Sequence, residues 1–316
     1  MMNQNNSKLM IHDIITILGP TATGKTRLAA LLANELKAEI VSADSRQVYR
    51  DMNIGTGKDL DDYRIGNITI PYHLIDIVNP RLEYNIFLYQ QDAVKAINYI
   101  QSRKKQVILC GGSGMYIEAL LKGYKLFPVP INQLLRKGLE QKSEEELISL
   151  LTSFRAIHNV TDTCEHSRLL RAIEIEYYYR EHPELSEFAK PIPSLIFGLK
   201  GDRDLIRNKI TLRLKHRLEN GMIEEVDNLI KRGVNPNLLI RYGLEYKFIT
   251  LFLLKEIDYN TLFKRLNTAI HQFSKRQMTW FRKMERDGFK INWIDISLDE
   301  EEKLRLIMDF LRSHNS

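Results

Sequence analysis

An apolar run, Ile14–Ile15–Thr16–Ile17–Leu18, stops at Gly19, and four residues later come Gly24, Lys25 and Thr26. Glycine, four residues, glycine, lysine and a hydroxyl is the spacing of a loop that cradles phosphate. Each part has a physical reason. Glycine lets the backbone curl until successive N–H groups point inward at anionic oxygens. A helix that begins at the lysine aims its positive dipole end at the same place. The lysine adds a mobile charge, and the hydroxyl can ligate Mg²⁺. Such a loop works only between a strand and a helix, and both are present: Arg27–Leu36 carries Leu28, Leu31, Leu32 and Leu36 at helical spacing. Phosphate contacts are therefore expected from Gly19, Pro20, Thr21, Ala22, Thr23, Gly24, Lys25 and Thr26. The loop specifies a polyphosphate and leaves its owner open.

Further strand–helix units follow. Glu39–Ser42 reads as a short strand running into Ala43–Asp44–Ser45–Arg46–Gln47–Val48–Tyr49. In a parallel α/β sheet the carboxyl ends of the strands face the ligand, so Asp44 can be an acid at the site, a helix cap, or both. Met52–Lys58 brackets Thr56 with two glycines and can approach a ligand closely. Tyr72–Asp76 reads as a third strand, Phe87–Ile100 as a helix, and Gln106–Cys110 as a fourth, strongly apolar strand. That strand runs into Gly111–Gly112–Ser113–Gly114–Met115–Tyr116. A nucleotide hydrolase of this architecture places an aspartate there to hold Mg²⁺; its absence weakens the case for hydrolysis. From Gly123 the pattern changes. Two prolines, Pro128 and Pro130, precede three charged helical segments, and Ser194–Leu199 then looks like a strand returning to the sheet. The expected fold is α/β: a P-loop NTPase-like parallel sheet flanked by helices, made of residues 1–122 and 194–316, with an all-helical insertion over 123–193.

Charge is uneven. The net charge is +6, yet Gly201–Lys290 alone holds 19 Lys and Arg against 11 Asp and Glu. An anionic macromolecule or a solvated helical face explains this equally well. Leu262–Met284 reads as one long helix in which Lys275, Arg276 and Arg282 alternate with Phe273, Trp280 and Phe281. Rings beside guanidinium groups suit RNA; they also suit a helix with an aromatic core face. Cys110 and Cys164 give neither a disulfide framework nor a metal cluster. The polar Met1–Lys8 lacks the apolar core of a signal peptide, and no segment is long enough to span a membrane. A cytoplasmic enzyme is the simplest expectation.

Six blocks in this order resemble the tRNA dimethylallyltransferases: Gly19–Thr26, Asp44–Tyr49, Ile54–Lys58, His73–Asp76, Gly111–Tyr116 and Lys275–Arg282. The resemblance covers nearly the whole chain. It implies transfer of a dimethylallyl group from dimethylallyl diphosphate to N6 of adenosine 37, 3′ of the anticodon, with release of diphosphate. It implies a phosphate loop that holds the diphosphate, with Mg²⁺ on Thr26. Asp44 would take the N6 proton, and Lys25, Arg213 and Ser113 would complete the catalytic set. Lys209 stands where the family has a second arginine. The tRNA anticodon stem-loop would be held by Asp44, Ser45, Arg46, Gln47, Arg168, Arg171, Arg241, Lys247, Lys275, Arg276, Gln277, Trp280 and Arg282, with the protein acting as a monomer away from membranes. Before Arg168 the family often has an asparagine–aspartate–proline motif; this chain has Cys164–Glu165–His166–Ser167. Two rivals use the same loop: a transferase acting on free adenine nucleotides, and a small-molecule kinase. A non-catalytic RNA-binding protein is a third, disfavoured by the intact Lys25–Thr26 and Asp44.

Overall fold

The structure, a computed structural model, describes residues 14–154, 166–183 and 190–314. In chain order the strands are β1 (Ile14–Leu18), β2 (Glu39–Ser42), β3 (Arg64–Ile65), β4 (Ile68–Thr69), β5 (Tyr72–His73), β6 (Val107–Gly111), β7 (Ser194–Lys200) and β8 (Ile291–Asp295). Six of them form one sheet in the order β5-β2-β6-β1-β7-β8, every neighbouring pair parallel. β3 and β4 make a small separate hairpin. β1, β2 and β6 are buried along their whole length. Helices cover both faces, which is why these strands read as continuous apolar runs.

The helices of the core are α1 (Lys25–Leu36), α2 (Ile86–Ser102) and α3 (Gly114–Leu121) before the insertion. The insertion holds α4 (Gln133–Leu139), α5 (Glu144–Phe154) and α6 (His166–Glu181). After it come α7 (Arg203–Glu219), α8 (Met222–Lys231), α9 (Pro236–Tyr242), α10 (Leu244–Leu253), α11 (Tyr259–Arg286) and α12 (Glu300–His314). One apolar cluster joins Ile15 and Ile17 of β1 to α1, α7 and α8. A second joins Leu18 of β1 to α2, α3 and Phe281 of α11. β1 therefore feeds both layers, and its carboxyl end delivers the phosphate loop between them.

The third strand is shorter than its apolar run suggests. Leu74 and Asp76 take positive φ values of 64° and 57°, which end β5 after His73. Asp76 instead accepts a hydrogen bond from the Lys58 ammonium, which also donates to the Tyr49 carbonyl. Lys58 is buried and ties three loops together.

The chain divides into two compact units, the second spanning Tyr124–Lys190. That unit packs α4, α5 and α6 around Leu139, Leu147, Leu151, Leu169 and Ile173. Ser143 and Glu146 close a capping box at the start of α5, with bonds of 2.7 and 3.2 Å. Glu174, 1% exposed, is held by Arg136, Arg171 and the Asn132 amide. Cys164 lies outside the described residues.

Candidate active site

At the carboxyl ends of β1, β2 and β6 the core unit opens into a cavity of about 720 Å³. Gly24, with φ 81°, caps α1 in a left-handed conformation that a side chain would strain. The loop before it divides by face. Thr21, Ala22, Gly24, Lys25 and Thr26 line the cavity, whereas Gly19, Pro20 and Thr23 are buried. The Pro20 carbonyl accepts from Thr23 Oγ1 and Lys25 Nζ, each at 2.8 Å. Gln277 of α11 clamps the loop to its neighbour: its Oε1 accepts from the Thr21 amide at 2.9 Å, and its Nε2 donates to the Gly112 carbonyl at 2.8 Å.

Asp44 also lines the cavity, past the end of β2. Its Oδ1 accepts from the Arg46 amide at 2.9 Å, and the backbone there makes a turn with no helix to cap. Ser113, past the end of β6, accepts from the Ser45 amide at 3.1 Å. The two loops lie so close that a Cβ on Gly111 would collide with the Ala43 carbonyl. Gln47 is oriented through Ser42 Oγ at 3.2 Å and the Gly57 carbonyl at 3.1 Å. Arg46 lies 5.3 Å over the Tyr242 ring.

The opposite wall belongs to α7. Lys209, Arg213 and Arg217, spaced by four, present one face to the cavity. Arg213 donates to Thr21 Oγ1, and Arg217 reaches both Asp59 oxygens, at 2.9 and 2.8 Å. Burial dominates the electrostatics. It lowers Lys25 to about 8, with Arg213 pushing the same way against Cys110 and Asp44. It lowers Arg213 to about 10, aided by Arg217. It raises the Cys110 thiol to about 12, and it raises Glu245 despite that residue's own amide, Arg213 and Arg217. Two cations that desolvation disfavours, beside a ring of amides, are preorganised for a polyanion. Thr26, Asp44 and Asp62 share the cavity, and no three acidic, histidine or cysteine side chains among the described residues group into a metal site. Mg²⁺ fits such a set when phosphate oxygens and water supply its remaining ligands.

The residues expected to bind RNA are placed unequally. Asp44, Ser45, Arg46, Gln47, Lys247, Arg276 and Gln277 line the cavity. Lys275 and Arg282 are exposed on α11. Gln277 is 7% exposed and both ends of its amide are engaged, so it acts as a clamp between loops and offers little to RNA. Trp280 packs its ring against Gly114. Arg241 pairs with Glu83 at 2.7 Å on the surface. In the second unit Arg168 is exposed, while the Arg171 guanidinium is taken up by Glu174 and by the Val129 carbonyl at 2.6 Å. Among the site residues that emerge only from the fold are Arg217 and Glu245. The first has a signal in the sequence, its four-residue spacing from Arg213; the second has none beyond the preceding Gly243.

A protein-family model described as IPP transferase matches residues 47–284. A tRNA dimethylallyltransferase 2 of Bacteroides fragilis is 54% identical over 302 residues, covering 95% of this chain and 98% of the relative. A tRNA dimethylallyltransferase 1 of Parabacteroides distasonis is 53% identical over 303 residues, covering 96% and 98%. Among solved structures, the full-length tRNA isopentenylpyrophosphate transferase of Bacillus halodurans superposes with a TM-score of 0.69 at 27% identity, covering 96% of this chain and 97% of that one. A eukaryotic dimethylallyltransferase acting on tRNA shares the fold, with a TM-score of 0.74 at 22% identity over 90% of this chain and 73% of its own.

Proposed function

The chain belongs to the IPP transferase family, and from that premise we propose that it transfers the dimethylallyl group of dimethylallyl diphosphate to N6 of adenosine 37 in tRNA, releasing diphosphate. One observation carries the reading. A complete phosphate loop and an acid, Asp44, face one cavity, while the neighbouring strand ends in Cys110–Gly111–Gly112 without the carboxylate of a nucleotide hydrolase.

The chemical problem is a weak amine nucleophile and an allylic electrophile whose leaving group must be neutralised. The loop amides, Lys25 and Arg213 take up negative charge as the bond from C1 to the diphosphate oxygen breaks. Mg²⁺ held by Thr26 would neutralise the same oxygens. N6 forms its bond to C1 and gives its proton to Asp44, the general base. Ser113 holds the Asp44–Ser45 turn against the Gly111–Gly112 loop through the Ser45 amide. The adenosine must leave its stack to reach this depth. Exposed Lys275 and Arg282, with Arg276 at the rim, would grip backbone phosphates of the stem-loop. A monomer acting in the cytoplasm, where tRNA is found, remains the expected form.

Incubation with labelled dimethylallyl diphosphate and either tRNA or AMP tests the reading. Label in tRNA is the expected result. Label in AMP alone would favour a free-nucleotide transferase, and brisk ATP hydrolysis without tRNA would favour a kinase or ATPase.

A further inference from the structure

The cavity has a third wall, and it is apolar. Phe248 of α10 and Ala269, Ile270 and Phe273 of α11 line it. Phe248 and Ile270 are also packed into the larger apolar cluster. Phe273 differs: its ring is partly covered, yet it joins none of the three clusters. An aromatic ring that lines a cavity without belonging to a core is free to cover an apolar guest.

Its place along α11 says which guest. Gln277 fastens that helix to the Thr21 amide of the phosphate loop. Phe273 lies one turn earlier, about 6 Å along the axis, and Ile270 and Ala269 lie about 5 Å beyond it. The same face of the loop takes Arg213 through Thr21 Oγ1, and α7 is tied to α11 by Thr211 and Asn267 at 3.0 Å. The apolar wall thus starts one helical turn from the residue that clamps the phosphate loop. Carbons attached to a bound diphosphate and running along α11 meet Phe273 first.

Resting on the prenyl-transfer reading above, we propose that Phe273, backed by Phe248 and Ile270, receives the prenyl carbons and limits the chain to five. From its reacting carbon a dimethylallyl group extends about 4 Å, three carbon–carbon bonds of about 1.5 Å each. That length ends at the ring. A geranyl group is about 5 Å longer and has to occupy the space the ring fills. The bond broken, C1 to oxygen, and the bond formed, C1 to N6, are the same for both chains, so the ring selects by length without touching the chemistry.

The test compares kcat/KM for dimethylallyl and geranyl diphosphate, with saturating tRNA as acceptor, in wild type, Phe273→Ala and Phe273→Leu. Inhibition by inorganic diphosphate reports the state of the loop. The wild type should favour the five-carbon donor. In Phe273→Ala that preference should shrink by at least about tenfold, the scale on which apolar pockets discriminate chain length. The KM for tRNA and inhibition by inorganic diphosphate should stay within about twofold. Phe273→Leu, a milder change that keeps a branched apolar side chain, should move the preference in the same direction by less, and it serves alone should the alanine variant not fold. An unchanged preference in both variants overturns the proposal, and a raised KM for tRNA with the preference intact assigns the ring to an RNA base. Failure of the wild type to transfer a prenyl group to tRNA from either donor overturns the function on which the proposal rests, and is seen separately from the ratio.

Discussion

Asp44 and Lys25 face the same cavity and make opposite demands on it. In the proposed reaction Asp44 takes the N6 proton; its Oδ1 is turned by the Arg46 amide, which leaves Oδ2 for substrate. Asp44→Asn keeps that turn and removes the base. Transfer should fall by about a hundred- to ten-thousand-fold, with tRNA affinity within a few-fold of wild type, in single-turnover and filter-binding measurements. Turnover near the wild-type rate would reduce Asp44 to a turn residue. To hold diphosphate in that proposed reaction Lys25 has to be charged, yet burial lowers its pKa to about 8 in the free protein. Above that pH the free lysine is increasingly neutral, while a bound diphosphate favours its charged form, so binding takes up a proton. Affinity for inorganic diphosphate should therefore fall as pH rises from about 7 to about 9. Lys25→Met should bind weakly throughout and lose that part of the pH dependence, as titration calorimetry in buffers of different ionisation enthalpy would show. Both residues are legible in the sequence, because a phosphate loop and a strand-end acid are local patterns. The Asp59–Arg217 pair is not, since its members lie 158 positions apart and meet only through the fold.

At the level of elements, β2 shows what separates the two ends of a strand. Its carboxyl end leads to the site, and its first residue, Glu39, anchors the opposite edge. Glu39 is 2% exposed and accepts from Arg103 at 2.9 and 2.7 Å, Lys105 at 2.8 Å and His73 at 2.9 Å. Burial alone would raise its pKa; the bonds from Arg103, Lys105 and His73 outweigh burial and hold it at about 2. A depressed carboxylate stabilises the fold fully above its unfolded pKa, and that contribution is lost as pH falls toward about 2. Glu39→Gln should cost on the order of 2–3 kcal/mol near pH 7, because it leaves the Arg103 and Lys105 cations around a neutral amide. Denaturant curves of variant and wild type should converge at acid pH; a constant gap would assign the loss to packing. The buried central strands are readable as apolar runs. The run at Tyr72–Asp76 overstates β5, because nothing local announces the positive φ of Leu74 and Asp76. α12 is hard to read although Asp299 and Glu302 cap each other at 2.8 and 3.2 Å, since its acid-rich start hides the apolar spacing behind it. α9 and α10 blur into one segment, because only Gly243, with φ 79°, separates them.

Across the whole molecule, α11 sorts its motif by direction. Successive residues turn about 100° around a helix, so Lys275–Arg282 cannot all face one partner. Their identities and order are plain from the chain, and the packed helix assigns each a direction: Gln277 to the phosphate loop, Trp280 to Gly114, Phe281 to the core, Arg276 to the cavity, and Lys275 and Arg282 to solvent. Of this motif, Arg276 at the rim of the cavity and the exposed Lys275 and Arg282 are the cations proposed to hold RNA phosphates. Replacing these three together by alanine should weaken all substrate tRNAs alike, because phosphate contacts carry no sequence information. The slope of log affinity against log salt should flatten by about two to three, close to one for each phosphate no longer neutralised. The chemical step at saturating tRNA should change much less, since Asp44, Lys25 and the clamp by Gln277 are intact. Binding measured across a salt series separates the two effects. An unchanged slope would leave these three side chains as a solvated face and hand the gripping of RNA to the remaining basic residues of the chain, Arg168 on the second unit among them.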